Sequence, residues 1–170
     1  MNPNIYKTNQ IFRPFTHDDI PVMKEINFSN HIDQGGALFG ALYDDPNYFV
    51  VEHDKHVIAY VNVLEELPDK VRMSRCADPI HSNGICIKQV AVSRSHQGIG
   101  AGSFLYKKIF ERYPNAPIYA HIHASNRTSA LFHLKNGFAP CGVFYSKKHY
   151  GQEHYLCFLF VREAGYGQKS

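Results

Sequence analysis

The sequence predicts one α+β domain, with a mixed, mostly antiparallel sheet of about seven strands and about four helices on its faces. Short runs rich in β-branched and aromatic residues alternate with segments of helical periodicity. Pairs of runs typical of hairpins occur early and late, with a strand-helix-strand unit between them. The 170 residues, 44% of them hydrophobic, suffice for one buried core and are few for two. We expect one domain over residues 1–170, with a core over 5–162 and a disordered tail over 163–170.

The N-terminal part is predicted to begin with a strand and a helix. The strand, Ile5–Pro14, ends at its proline, and Thr16 is placed to cap a helix that continues to Ser29. Beyond the break at Gly35-Gly36, the apolar segment Ala37–Tyr43 is typical of a second short helix.

The following segment predicts a hairpin and then a loop. Tyr48–Glu52 and Val57–Leu64 are rich in β-forming residues and flank the polar tetrapeptide His53–His56. Leu67–Asn83 contains two prolines and has no clean period. We therefore predict a long loop there, which could border a substrate site.

The second half predicts a β-α-β unit, another helix and a final hairpin. Apolar residues recur at helical spacing in its helices, which end at turn residues. The predicted segments are a strand over Ile85–Val92, a helix stopped by Tyr113–Asn115, a strand over Pro117–Ala124, a helix over Asn126–Asn136 with Gly137 after it, and a hairpin of Phe138–Ser146 with His154–Val161.

Composition and charge argue against several classes of protein. Lys and Arg (18) barely exceed Asp and Glu (15), and the basic residues are dispersed, so the chain shows no electrostatic footprint for nucleic acid or membrane. The N-terminus lacks an apolar signal region, and no apolar run approaches a membrane span. The four cysteines and 11 histidines show no metal-ligand spacing. We expect a cytoplasmic monomer or homodimer with reduced thiols and no metal.

The segment Gln97-Gly98-Ile99-Gly100-Ala101-Gly102 is the strongest functional signal in the chain. It follows the predicted strand that ends at Val92 and opens a helix. Glycines let a backbone approach a phosphate closely, and the first turn of a helix offers unpaired N–H groups and a partial positive charge. Arg94 and the Gln97 side chain could donate at its rim. The alternative is a tight turn that needs glycines only for steric reasons.

Two other phosphate-binding motifs do not fit this segment. A Walker loop ends in Gly-Lys-Ser/Thr, whereas Gly102 is followed by Ser103-Phe104, so the phosphate-binding lysine is missing. A Rossmann fingerprint needs a glycine where Ser103 stands and an acidic residue after the next strand, which ends in Ala124-Ser125-Asn126. A nucleotide-dependent oxidoreductase is therefore the weakest hypothesis.

A second motif follows this segment farther along the chain. The residues of the first motif are Gln97, Gly100 and Gly102, and those of the second are Asn126, Ser129, Phe132, His133 and Gly137-Phe138. Together the two motifs resemble those of the GNAT superfamily of acyl-CoA-dependent N-acetyltransferases. The resemblance covers about Ile85–Phe138 and implies a GNAT-like fold with acetyl-CoA as acyl donor.

The resemblance implies roles for individual residues. The loop amides take the pyrophosphate, and the main chain of Val90 and Val92 pairs with the pantetheine arm as with an added strand. The N–H of Val92 is then the expected oxyanion donor. Asn126 contacts the cofactor, serves as a plain N-cap, or does both. The implied cofactor-binding residues are Val90, Val92, Gln97, Gly98, Ile99, Gly100, Ala101, Gly102, Ser103, Asn126 and Ser129.

His133 departs from the commonest family pattern. It stands where most members carry a tyrosine that protonates the leaving thiolate. Because an imidazole titrates near neutral pH, His133 is expected to act as that acid or to hydrogen-bond the thiolate. The alternative is a helix histidine beside the cofactor without a role in proton transfer.

A base must remove a proton from the acceptor amine, and the sequence offers only weak candidates. Glu65 and Glu66 follow the third strand, although a solvated strand end also explains them. His121 and His123 share one face of a strand, which is more typical of packing residues with a local partner. Gln89 could hold a water molecule.

The resemblance places the acceptor site in residues 30–45 and 145–154. Asp33, Asp44 and Asp45 could attract a cationic amine, although the last two equally suit a turn before Pro46. Aromatic residues that fit a pocket, a core or a dimer surface are Phe39, Tyr43, Tyr145 and Tyr150.

The leading hypothesis is an N-acetyltransferase that moves an acetyl group from acetyl-CoA to a primary amine of a small molecule, amino acid or peptide by direct attack. The alternative is a non-catalytic module that binds or senses acyl-CoA. The missing tyrosine favours that alternative.

Overall fold

The computed structural model describes residues 9–30, 47–149 and 152–165. These residues form four α-helices and eight strands. The helices are α1 (Ile20–Ser29), α2 (Asp69–Arg72), α3 (Ala101–Arg112) and α4 (Arg127–Lys135). The strands are β1 (Gln10–Pro14), β2 (Tyr48–His53), β3 (His56–Leu64), β4 (Arg75–Cys76), β5 (Ile85–Val92), β6 (Ile118–His123), β7 (Ala139–His149) and β8 (Gln152–Arg162).

The eight strands make one mixed sheet in the order β1-β2-β3-β5-β6-β8-β7-β4. β5 and β6 are parallel, with Ile85–Ile87 paired to Ile118–Ala120. The hairpins β2/β3 and β7/β8 are antiparallel, as are the pairs β1/β2, β6/β8 and β4/β7. The predicted α+β class with a mixed, mostly antiparallel sheet is confirmed, with eight strands where about seven were expected.

One compact unit is drawn from residues 1–62 and 89–112. Its core is built where α1 packs on the strands β2, β3 and β5. The hairpin β2/β3 closes through Asp54 and Lys55, whose φ angles of +48° and +65° suit a two-residue turn of the type that matches strand twist. The core residues are Met23, Ile26, Tyr48, Val50, Tyr60 and Ala91.

A second compact unit is drawn from residues 63–88 and 113–170. Here β8 lies between β6 and β7, and α2 covers part of the same core. The core residues are Leu67, Val71, Cys86, Tyr119, Leu159 and Val161.

The prediction of a loop throughout Leu67–Asn83 is wrong. The segment contains the single turn α2 and the two-residue strand β4, which pairs with β7. Val71 is fully buried, so one apolar side chain fixes α2 in place. Elements this short carry no periodicity in the sequence, which is why the pattern predicted only a loop.

Several predictions fall wholly or partly outside the described residues. The second helix over Ala37–Tyr43 and the start of the first strand lie there. The same holds for the acceptor-site candidates Asp33, Asp44, Asp45, Phe39, Tyr43 and Tyr150. Within the described ranges, no helix is long and apolar enough to cross a membrane.

An ion-pair network fixes the start of α1. Arg13 on β1 contacts both Asp19 carboxylate oxygens, at 2.7 and 2.9 Å, and also Glu52 on β2. The main-chain N–H of Thr16 donates to Asp19 as well, at 2.7 Å. Burial raises the pKa of the Asp19 carboxyl, but its hydrogen bonds with Arg13 and Thr16 outweigh burial, and the net pKa is lowered.

This network predicts an acid-sensitive contribution to stability. A carboxyl with a lowered folded-state pKa stabilises the fold above its unfolded pKa of about 3.9, and that contribution disappears as the pH falls through the folded-state pKa. We expect Asp19→Asn to lower the free energy of unfolding by about 2 kcal/mol at pH 7. Urea unfolding of both proteins from pH 7 to pH 3 should show the difference shrinking in acid.

The exposed neighbour Asp18 provides the control, and Asp18→Asn should change the stability little at either pH. A loss in Asp19→Asn that is equally large at pH 3 would show that the ionised carboxylate is not its source.

Candidate cofactor site

The predicted phosphate segment joins β5 to α3. A short 3₁₀ turn, Arg94–His96, follows the end of β5, and Gly98 and Gly100 then adopt φ angles of +82° and +91°. A Cβ built on either glycine would meet no atom within 4 Å. The left-handed backbone therefore requires these glycines, while packing inside the protein does not. The space beside them is open to a ligand.

The helix that follows presents its N-terminus to this turn. The N–H of Phe104 donates to the carbonyl of Gly100 at 2.9 Å, which is the first helical hydrogen bond. The amides of Ala101, Gly102 and Ser103 precede that bond and have no partner within the helix. Together with the partial positive charge of the helix N-terminus, they can bind a phosphate oxygen.

Gln97 holds the start of the turn against two other elements. Its Nε2 donates to Asn30 Oδ1 at 3.0 Å and lies 3.4 Å from the carbonyl of Val92. Asn30 Nδ2 donates to the same carbonyl at 3.0 Å and to that of Ile26 at 2.7 Å. The Gln97 amide, expected at the phosphate rim, thus connects the end of α1 to the end of β5. We name Asn30, Gln97 and the Val92 carbonyl the amide clamp.

Asn30 begins the segment 30–45 that was expected to shape the acceptor site, but its contacts with Gln97 and Val92 were not predicted. Its position directly after α1 is one that asparagine often takes at helix ends.

The orientation of β5 bears on the role expected for Val92. The N–H of Ser93 donates to the carbonyl of Ile58 on β3 at 2.7 Å. Successive residues of an extended strand point their N–H groups to opposite edges. The N–H groups of Val92 and Val90 therefore point to the edge of β5 away from β3.

In the second unit, Asn126 caps α4. Its Oδ1 accepts from the N–H of Ser129 at 3.0 Å, as in an ordinary N-cap. At the other end, the N–H of Gly137 donates to Leu134 and that of Phe138 to His133, at 3.1 Å each. This is a Schellman motif with Gly137 at φ +85°, so the predicted end of the helix is confirmed.

His133 lies inside that motif and is only 3% exposed. Its Nδ1 is 2.7 Å from the carbonyl of Ser129 and must donate, because a carbonyl only accepts. Its ring contacts those of Phe138 and Phe160, with centroids at 5.1 and 6.2 Å. Burial lowers the pKa of His133, and the hydrogen bond to Ser129 only partly opposes it. The imidazole is therefore neutral at pH 7, with its proton on Nδ1.

The surroundings of the candidate bases do not identify any one of them as the base. Glu65 is exposed and accepts from the hydroxyl of Tyr113 at 3.0 Å, and Glu66 is exposed. His123 Nδ1 lies 2.6 Å from Ser125 Oγ. The two glutamates are thus placed as residues of a solvated strand end, and His123 as a histidine with a local partner. Neither arrangement requires a role in catalysis.

Gln89 belongs to a buried polar cluster in the first unit. It is 7% exposed, and its Nε2 donates to the hydroxyl of Tyr60 at 2.8 Å and to Asn27 Oδ1 at 3.2 Å. These contacts connect α1, β3 and β5 through side chains. Burial raises the pKa of Tyr60, so its hydroxyl stays protonated. Within the described ranges, no three His, Cys, Asp or Glu residues are placed to hold a metal ion.

Comparison with known proteins points to one family. The model of the acetyltransferase (GNAT) family matches residues 5–138. No curated protein sequence matches the chain.

Solved structures with the same fold come from diverse organisms. A GNAT-family acetyltransferase from Streptococcus agalactiae has a TM-score of 0.72 at 15% identity, over 94% of this chain and 99% of that one. Arabidopsis thaliana NAA60 in complex with acetyl-CoA has a TM-score of 0.69 at 17% identity, over 91% and 99%. The ribosomal-protein-S18-alanine N-acetyltransferase of Escherichia coli has a TM-score of 0.67 at 13% identity, over 90% and 92%. At these identities the similarity is one of fold.

The backbone of the turn predicts an order of stabilities at Gly98. Because its Cβ would point into open space, only the left-handed conformation penalises a side chain there. Gly98→Ala should cost about 1–2 kcal/mol, Gly98→Asn less, and Gly98→Val more, since asparagine tolerates this region and β-branched residues do not. Urea unfolding measures all three. If Gly98→Val were as stable as the parent, the left-handed assignment would be refuted.

Proposed function

Since the chain belongs to the acetyltransferase (GNAT) family, we propose that it transfers an acetyl group from acetyl-CoA to a primary amine of a small molecule, amino acid or peptide. The observation that carries this proposal is the turn at Gln97–Gly100 with the α3 N-terminus behind it. Two left-handed glycines, open space beside them and three helix-start amides together suit a pyrophosphate.

Acetyl-CoA is the acyl donor of this family, and Arabidopsis thaliana NAA60 was solved in complex with it. In our proposal the amides of Gly98–Ser103 bind the pyrophosphate of coenzyme A. The amide clamp acts one step away from the ligand: by holding Val92 and Gln97 together, it fixes where the turn begins. Gln97 is then a positioning residue and not a direct phosphate donor.

We assign the pantetheine arm to the main chain of Val90 and Val92. Their N–H groups point away from β3, to the edge where an extended ligand can add like a strand. The N–H of Val92 is also our proposed oxyanion donor. In direct attack, negative charge develops on the thioester oxygen, and a prepositioned amide stabilises that charge. The amide clamp holds the carbonyl of the same residue, which restrains this amide.

His133 is proposed to stabilise the end of α4 without donating a proton at neutral pH. An acid must carry a proton on the atom that faces the leaving group, yet burial keeps His133 neutral and its one ring proton is bound to Ser129. In this proposal Asn126 and His133 hold the two ends of α4, and Asn126 and Ser129 remain candidates for cofactor contact through the family motif. The thiolate then takes its proton from another donor.

The acceptor in this proposal is a primary amine. One neighbour in fold is named for a ribosomal-protein alanine. This name supports including a peptide amine among the acceptors of this chain, beside free amino acids and small molecules. We propose that the amine attacks the thioester directly, without an acyl-enzyme intermediate.

Acetyl-CoA binding should be visible as thermal stabilisation. At a hundred times the dissociation constant, acetyl-CoA should raise the Tm by about 5–10 °C, whereas NAD and ATP should not. Gly100→Val should abolish most of this shift. Gly165 also has a positive φ, of +71°, with open space at its Cβ, so Gly165→Val matches the backbone strain and should keep the full shift. Stabilisation by NAD instead would refute the proposal.

Turnover separates an enzyme from an acyl-CoA sensor. Free-thiol release from acetyl-CoA should rise well above hydrolysis with at least one amine in a panel of amino acids, polyamines and peptides. Binding without turnover for every amine would support the sensor.

A substitution at His133 tests whether this residue acts as an acid. His133→Gln should lower the free energy of unfolding by about 1–3 kcal/mol, because the new amide reproduces the imidazole contacts poorly. The same variant should leave the pH profile of kcat unchanged. A lost ionisation in that profile would restore His133 as an acid.

A further inference from the structure

Lys70 and His121 meet within the second unit, 51 residues apart in the sequence. Lys70 Nζ on α2 lies 3.1 Å from His121 Nε2 on β6. An ammonium group can only donate, so Nε2 is the acceptor. Lys70 is exposed, while His121 is half-buried with its ring centroid 6.0 Å from that of Phe144. An accessible amine is thus held against the lone pair of an imidazole.

The surroundings of this amine favour its neutral form. Although the residue as a whole is exposed, its amino group is partly desolvated, and this desolvation lowers the pKa of Lys70. The charge of Lys88 on β5 acts in the same direction, whereas the thiols of Cys86 and Cys157 oppose it. A lowered pKa increases the fraction of neutral amine, which is the nucleophilic form.

We propose that Lys70 is a site of acetylation on this chain itself, with an acetyl thioester as donor and His121 as the base that takes the amine proton. The proposal rests on the proposed function for the identity of the donor, acetyl-CoA. The reactivity of Lys70 rests on the contact with His121 and on the partly desolvated amino group, not on the identity of the donor.

The chemistry balances without a further reactant. One proton of the Lys70 ammonium passes to His121 Nε2, and the freed lone pair attacks the carbonyl carbon of the thioester. The N–C bond forms, the C–S bond breaks, and the second amine proton is released to water. Coenzyme A leaves as a thiolate and takes the proton back from the imidazolium. The product is a neutral amide, which removes the positive charge next to Lys88.

The chain provides matched control lysines. Lys24 on α1 and Lys55 in the β2/β3 turn are exposed. Neither has a hydrogen bond to a histidine within the part of the chain that the structure covers. They report the reactivity of an ordinary surface amine in the same sample.

The test is a time course of acetylation resolved by site. The protein is incubated with acetyl-CoA at pH 7.5, and peptide mass spectrometry follows Lys70, Lys24 and Lys55. We expect Lys70 to react several-fold faster than either control, because its contact with His121 and the partial desolvation of its amino group favour the neutral amine. His121→Gln, which accepts a hydrogen bond but takes no proton, should lower the rate at Lys70 and leave Lys24 and Lys55 unchanged. Lys70→Arg confirms the peptide assignment.

A second donor separates this proposal from the proposed function. The N-hydroxysuccinimide ester of acetic acid acylates amines without a coenzyme site, and it should also prefer Lys70. Equal rates at all three lysines with both donors would overturn the proposal, as would an unchanged Lys70 rate in His121→Gln. A preference seen with the ester and absent with acetyl-CoA would reject the thioester as donor. Failure of acetyl-CoA to stabilise the protein would contradict the proposed function alone.

Discussion

The left-handed turn between β5 and α3 is the constraint on which the proposed cofactor site depends. Two glycines in this turn, Gly98 and Gly100, have φ angles that other residues adopt only with strain. Both glycines are exposed, and neither carries a side chain that could cover the turn before the first amides of α3. The amide clamp sets its starting point, because Asn30 and Gln97 both bind the Val92 carbonyl. The pyrophosphate site that we propose is therefore built from backbone whose conformation the chain itself fixes.

The second unit contains two histidines, His133 and His121, in contrasting environments. His133 has its proton bound to Ser129 and its ring packed on phenylalanines, so burial makes it a neutral, well-held part of the α4 terminus. Lys70 and His121 show the opposite arrangement, an exposed amine beside an accepting nitrogen. Two histidines of one chain thus differ in environment, because aromatic rings and a carbonyl enclose His133, whereas the amino group of Lys70 contacts His121.

The order of helices and strands along the chain was predictable, because nearby residues indicate where each element begins and ends. Prolines, capping residues and periodicity located the β2/β3 hairpin, α3 and the end of α4 at Gly137. The elements α2 and β4 were missed, since a single turn and a two-residue strand are held by Val71 and by pairing with β7, and neither leaves a pattern in sequence.

The same limit applies to the candidate site, whose local motif was predictable and whose long-range contacts were not. The glycine positions followed from the loop motif, and their positive φ angles agree with a need for glycine. What sequence could not supply were contacts across long separations. Asn30 meets Val92 from 62 positions away, and Lys70 meets His121 from 51. The sequence also could not show that Gln97 donates a hydrogen bond to Asn30, or that burial lowers the pKa of His133.

The central claim is that coenzyme A binds at the β5–α3 turn, and backbone NMR tests it most directly. In a titration of ¹⁵N-labelled protein with acetyl-CoA, the amide resonances of Gly98, Gly100, Gly102 and Ser103 should shift together and saturate at one stoichiometric site, because amides that bind a phosphate change their hydrogen bonding. Saturating binding that leaves these four amides unmoved, with the shifts confined to other parts of the chain, would contradict the account.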